Sequence, residues 1–191
     1  MLVGVLALQG DVREHLATLA SLGADAIPVR TTEELNSVDA LVIPGGESTT
    51  ISKLAVNFGL MGDLREFSRR KPVLGTCAGL ILLSDSVHGR LADQELIGGL
   101  PIEVERNAYG GQTHSFEALF EIGGVQERVA FIRAPRIIES GSTEVIARLE
   151  GEPVAVRFGN LVGASFHPEI TGGIQLHKLF LDLVRGAEPV S

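Results

Sequence analysis

The sequence predicts an α/β fold: a mostly parallel central sheet with antiparallel additions in the C-terminal half. Three observations support this. Short, wholly apolar runs such as 2–8 read as strands buried on both faces, as in parallel sheets. Stretches of helical period alternate with these runs through the first half of the chain, the β-α-β signature. From about Ile102 the helical period fades and short β-like runs take over.

The run 2–8 ends in Gln9-Gly10, and a helix is expected next. Asp11 is read as its N-cap with Glu14 as capping-box partner, and Val12, Leu16 and Leu19 recur on one face. Gly23 ends that helix, and 26–29 and 40–43 read as the next strands. Pro44-Gly45-Gly46-Glu47-Ser48-Thr49-Thr50 then runs into a helix, and Pro72-Val73-Leu74 leads through Gly75-Thr76-Cys77-Ala78-Gly79 into 80–83. Both are strand-to-helix corners, which gather along the carboxyl edge of a parallel sheet where α/β proteins bind ligands. The later runs, 102–105, 129–132, 145–149, 154–158 and 161–166, read as antiparallel additions. A final helix carries Leu176, Phe180, Leu183 and Val184 on one stripe. All 191 residues are read as one domain, with 186–191 a frayed tail.

The 45% apolar and 21% charged residues fit an ordinary globular protein, and no apolar run is long enough to span a bilayer. With 24 acidic against 16 basic side chains the formal charge is −8, which argues against nucleic acid or an anionic membrane as partner. The N-terminus shows no basic segment followed by a cleavage site, and a single cysteine fits a reducing compartment, so a cytoplasmic protein is expected.

Gly75-x-Cys77-x-Gly79 directly after a strand has the form of a nucleophile elbow with sulfur in place of oxygen. The nucleophile occupies a strained turn, so the residues two before and two after must let the strand and helix backbones approach. At a helix start, Cys77 would meet exposed N–H groups and the positive end of the dipole, which lower a thiol pKa from about 8.5 towards neutrality. The competing reading of a lone cysteine is a small buried hydrophobe.

A cysteine hydrolase also needs a base and a group to orient it. Of five histidines, His15 and His177 lie within helices and His88 and His114 in polar, loop-like stretches, where surface or packing roles are expected. His167 follows the run 161–166 and begins His167-Pro168-Glu169. Pro168 would keep the backbone extended, so that Glu169 reaches one imidazole nitrogen while the other faces the sulfur. Gly45-Gly46 before a helix could present N–H groups to an oxyanion, with Ser48 as a further donor; taken alone, the corner is better read as a turn with Ser48 or Thr49 as N-cap.

Taken together and in order, Pro44-Gly45-Gly46-Glu47-Ser48, Gly75-Thr76-Cys77-Ala78-Gly79 and His167-Pro168-Glu169 resemble the class I glutamine amidotransferases. The chain is more closely similar to the glutaminase subunits of pyridoxal phosphate synthases, through Leu8-Gln9-Gly10-Asp11-Val12-Arg13-Glu14-His15, Gly45-Gly46-Glu47-Ser48-Thr49-Thr50, Glu105-Arg106-Asn107, Phe131-Ile132-Arg133-Ala134-Pro135 and Ser165-Phe166-His167-Pro168-Glu169. The resemblance implies a three-layer, flavodoxin-like glutaminase fold and a Cys77-His167-Glu169 triad that hydrolyses L-glutamine to glutamate and ammonia. It further implies an oxyanion site from Ala78 and the Gly45-Gly46 corner, and glutamine contacts from Gly46, Glu47, Ser48, Arg106, Ile132 and Arg133. The implied partner is a pyridoxal phosphate synthase subunit that accepts the ammonia, docking at Gln9 and Gly10; no cofactor and no metal are expected. Ala108, Gly111 and His114 depart from the family pattern of Ser, Arg and Asp. A different cysteine hydrolase or chaperone-like protein, and a regulatory module that holds a small carboxylate, are the competing readings.

Overall fold

The computed structural model describes residues 1–106 and 115–186, so the departures at Ala108, Gly111 and His114 and all but Gly186 of the expected tail lie outside the described residues. In chain order the elements are β1 (Leu2–Leu6), α1 (Val12–Ser21), β2 (Asp25–Val29), α2 (Thr32–Ser37), β3 (Ala40–Ile43), α3 (Ser48–Asn57), α4 (Leu60–Arg70), β4 (Val73–Thr76) and α5 (Ala78–Leu83). There follow β5 (Ser84–His88), β6 (Leu100–Glu105), β7 (Phe116–Ile122), β8 (Val125–Phe131), β9 (Arg136–Glu139), β10 (Glu144–Leu149), β11 (Glu152–Phe158), β12 (Leu161–Ala164), α6 (Pro168–Thr171) and α7 (Gln175–Val184).

Seven strands form the central sheet in the order β10-β11-β12-β4-β3-β1-β2. The five from β12 to β2 are parallel, and β11 and β10 add antiparallel at one edge. Period-two alternation sorts each inner strand between two cores. Val3 and Val5, Ala40 and Val42, and Leu74 face a core built with Leu19 of α1 and Leu176 and Phe180 of α7, closed by Phe120 and Phe131 of the β7-β8 hairpin. Leu6, Leu41, Ile43 and Val73 face the other, built with Leu35, Ile51, Leu64 and Leu80 from α2 to α5. Helices on both faces of one sheet make three layers.

Several details differ from the expectation. The 161–166 run yields β12, which pairs antiparallel with β11 as expected but in parallel with β4 on its other side, because a strand buried on both faces does not declare its pairing direction. The 102–105 run belongs to β6 in a separate sheet of order β5-β6-β9, and 129–132 to the β7-β8 hairpin, so only β10 and β11 extend the central sheet antiparallel. His88 ends strand β5 and is exposed rather than lying in a loop. The first strand stops at Leu6 rather than Leu8.

The register positions the chemistry. Gly163 lies beside Gly75 and Ala164 beside Thr76, so the chain leaves β4 at Cys77 and leaves β12 toward His167 at the same edge. The Cys77 N–H donates to the Ala164 carbonyl at 2.8 Å, tying the two exits together. His167 also bridges to Ala130 of β8, its N–H donating to the Ala130 carbonyl at 2.8 Å, and so holds the Ile132-Arg133 turn near the same place.

Candidate active site

Cys77 stands between β4 and α5 with φ 48° and ψ −99°, a positive φ that a non-glycine residue adopts only at some cost. Its glycine neighbours are required by close approach. A Cβ on Gly75 would lie 2.5 Å from the Gly79 carbonyl carbon, and one on Gly79 would lie 2.2 Å from the Ile43 oxygen. The side chain is 5% exposed, with Sγ 3.9 Å from the Ile132 carbonyl oxygen. Ala78 opens α5, so its N–H belongs to the first turn, whose amides lack intrahelical acceptors.

His167 is the N-cap residue of α6, and Pro168 and Glu169 are already helical. The extended geometry expected before Pro168 holds at His167 itself and ends there, with Pro at the first helical position, where its missing N–H costs nothing. The expected contact forms nonetheless: His167 Nδ1 lies 2.8 Å from Glu169 Oε1. Asp11 Oδ2 approaches the same nitrogen at 3.3 Å. Burial by itself would lower the His167 pKa, but hydrogen bonding with Asp11, Cys77 and Glu169 outweighs it, and the imidazole is pushed up to about 12. Burial raises the Glu169 carboxyl, and the His167 hydrogen bond draws it back.

Asp11 occupies the N-cap position of α1 as expected, but its carboxylate turns to His167. Its side chain makes no capping bond, so the expected box with Glu14 does not form; a capping box does form on α2, between Thr31 and Glu34. Donor atoms of Asp11, His167 and Glu169 all lie within 4.8 Å of one another, close enough to share a cation. A cation there would have to displace the Nδ1 proton that His167 shares with the carboxylates, the group that gives the ring its orientation.

The Gly45-Gly46 corner sits under His167 and against Gln9-Gly10. A Cβ on Gly45 would meet His167 Cε1 at 2.2 Å, and one on Gly10 would meet the Gly45 oxygen at 1.8 Å. Gln9 Oε1 accepts from the Glu47 N–H at 2.7 Å. Glu47, not Ser48 or Thr49, is the N-cap of α3, its carboxylate accepting from the Thr50 N–H at 2.8 Å and from the Thr49 hydroxyl. Partial burial would raise its pKa, but these bonds prevail and hold it below the usual range. Arg106 Nη2 donates to Glu47 Oε1 at 3.1 Å and Nη1 to Gln94 Oε1 at 3.4 Å, while Gln94 Nε2 donates to buried Ser48 Oγ at 3.1 Å.

These groups surround a pocket of about 330 Å³ lined by Gln9, Asp11, Gly46, Glu47, Ser48, Cys77, Ile81, Arg106, Ile132, Arg133, His167 and Ile170. That size suits a small molecule. A larger cleft of about 550 Å³ beside the amino ends of β4 and β12, lined by Arg69, Asp85 and Gly159 among others, holds neither Cys77 nor His167. Most residues singled out in the sequence therefore converge, with Gly45, Ala78 and Glu169 behind the pocket wall. Asp11, Gln94 and the buried pair His15 and His177 were not anticipated. Asp11 had one signal: it follows Gln9-Gly10 at the carboxyl end of β1, the edge that carries the other two corners.

A model of the SNO glutamine amidotransferase family matches residues 5–185. The pyridoxal 5'-phosphate synthase subunit PdxT of Streptomyces griseus subsp. griseus is 56% identical over 188 residues, covering 96% of this chain and 95% of its own. The subunit of the same name from Brevibacillus brevis is 49% identical, covering 97% and 98%. A crystal structure of a glutamine amidotransferase is 45% identical with a TM-score of 0.90, over 96% of this chain and 98% of that one. PurLQS from Thermotoga maritima, 15% identical with a TM-score of 0.65 over 96% and 98%, shares the fold. Among the described residues no helix is long and apolar enough to cross a membrane.

Proposed function

The chain belongs to the SNO glutamine amidotransferase family, and on that premise we propose that it hydrolyses L-glutamine at Cys77 and passes the ammonia to a synthase subunit that builds pyridoxal phosphate. The observation that carries the reading is the meeting of Cys77 and His167 in one pocket, with Glu169 behind its wall and 2.8 Å from His167 Nδ1 through Oε1. The Cys77 thiolate attacks the carbonyl carbon of the side-chain amide, and the electron pair moves to oxygen. His167 protonates the nitrogen, ammonia leaves, and a glutamyl thioester remains. Water then attacks the thioester as His167 takes its proton, and the carbon–sulfur bond breaks to release glutamate and regenerate the Cys77 thiolate beside protonated His167. The Ala78 N–H and one from the Gly45-Gly46 corner hold the oxyanion.

Glutamine is held by Gly46, Glu47, Ser48, Arg106, Ile132 and Arg133. Arg106 is already paired with Glu47, whereas Arg133 makes no ion pair among the described residues, so Arg133 is assigned to the substrate α-carboxylate. Gln9 and Gly10 receive the synthase subunit. Support comes from the Gln9 side chain, which grips the Glu47 N–H, so a partner that moves Gln9 shifts the backbone of the Gly46-Glu47 corner. Glutamate release by the chain with and without purified synthase subunit tests this reading. Turnover that rises with the synthase is expected; no release under either condition would sink the proposed hydrolysis.

A further inference from the structure

Behind Glu169 lies a buried polar chain that the reaction as described does not use. His15 on α1 and His177 on α7 are fully buried, and His15 Nδ1 lies 2.8 Å from His177 Nε2. The other His15 nitrogen, Nε2, is 3.2 Å from Thr76 Oγ1 and 3.5 Å from Glu169 Oε1. Glu169 Oε1 is hydrogen-bonded to His167 and has His15 as a more distant neighbour, while Oε2 is buried with no hydrogen-bond partner among the described residues.

Burial, reinforced by repulsion from His177 and His167, holds the His15 pKa well below its ordinary value, and burial pushes His177 down to about 4. Each ring is then neutral and carries one N–H. His177 Nδ1 is buried without a partner among the described residues. If His15 held its proton on Nδ1 and gave it to His177 Nε2, the His177 proton would sit on Nδ1 as a stranded donor. The reverse arrangement strands only an acceptor, the less costly of the two.

We propose that His15 is a positioning residue for the triad: its Nε2–H, fixed in that tautomer by the His177 Nε2–H donating to its Nδ1, points at Glu169 Oε1 and Thr76 and holds the carboxylate in place to orient His167. The direction of donation runs from His177 to His15 to Glu169, and Thr76, the residue before Cys77, shares the same N–H. The nucleophile turn and the base are thereby tied to one buried ring.

This inference rests on the glutaminase reading, and two measurements separate the two. In synthase-stimulated glutamate release, His15→Leu is expected to lower kcat roughly tenfold with KM for glutamine within about twofold of wild type, as loss of a group that orients a base does. His15→Gln keeps an amide N–H near the Nε2 position and is expected to recover most of kcat. A folded His15→Leu with wild-type kcat, or a loss that His15→Gln leaves unrepaired, would overturn the assignment. Nitrogen-15 NMR of the imidazoles in the unsubstituted protein reads the tautomer without any variant: a proton on His15 Nε2 is expected, and a proton on Nδ1 would overturn it. A wild-type protein that released no glutamate would strike the glutaminase reading, while the tautomer measurement bears on His15 alone.

Discussion

Acid should destabilise this protein through His177. The ring is fully buried, and burial alone takes its pKa from the ordinary 6.5 down to about 4. Between those pH values the unfolded chain binds a proton at His177 that the folded state refuses. The unfolded state therefore binds more protons, and stability falls as pH falls. At about 1.4 kcal/mol per pH unit, the window from 6.5 to about 4 removes about 3 kcal/mol, a large part of the ~5–15 kcal/mol that holds a typical domain. His15, also lowered, acts in the same direction. His167 is raised, so its contribution is complete below pH 6.5 and is lost only as pH rises toward about 12. Glu169 is raised by burial, takes up its proton sooner in the folded state, and opposes part of the loss. Urea unfolding at a series of pH values from 7 to 4, for wild type and His177→Leu, tests the His177 contribution, the variant also relieving the repulsion of His177 on His15. The variant is expected to be flatter by about 3 kcal/mol across that range. Parallel pH profiles for the two proteins would refute the reasoning.

Steady-state glutaminase assays should show His167→Asn losing more kcat than Glu169→Gln, since the base moves protons while the carboxylate orients it; the opposite order would remove His167 as the base. Arg133→Ala should raise KM for glutamine by roughly ten- to a hundredfold, the scale of a charge-assisted hydrogen-bonded pair, and Arg106→Ala should also weaken binding because Glu47 loses its partner; unchanged KM in both takes them out of the pocket. Gly79→Ala should cost about 1–3 kcal/mol in urea unfolding because its Cβ would meet the Ile43 oxygen, and an unaffected midpoint would contradict the close approach of strand and helix at the elbow.

The features legible in the sequence were those whose causes are local. Apolar runs such as Ala40–Ile43 declare burial on both faces, and glycines flanking Cys77 declare a turn where backbones meet. His167-Pro168-Glu169 disclosed a partnership across two residues, although the geometry came from a helical turn and not an extended strand. What stayed hidden depends on contacts between distant segments. His15 and His177 are 162 residues apart, and no period in either helix marks a polar pair within an apolar face. Asp11 has a cap's local context and a site residue's contact, and only the position of His167 decides between them. The parallel pairing of β12 and the separate sheets of β5 to β9 are likewise choices of partner that strand composition does not encode.

The central claim is that a thioester on Cys77 connects glutamine to free ammonia, and trapping that adduct tests it most directly. Wild-type protein turning over glutamine with the synthase subunit would be acid-quenched, digested and examined by mass spectrometry, with Cys77→Ala alongside. The chain has one cysteine, so a single site can hold the adduct. A glutamyl group on the Cys77 peptide of wild type is expected, with neither adduct nor glutamate release in Cys77→Ala. Glutamate release at the wild-type rate by Cys77→Ala would contradict the account.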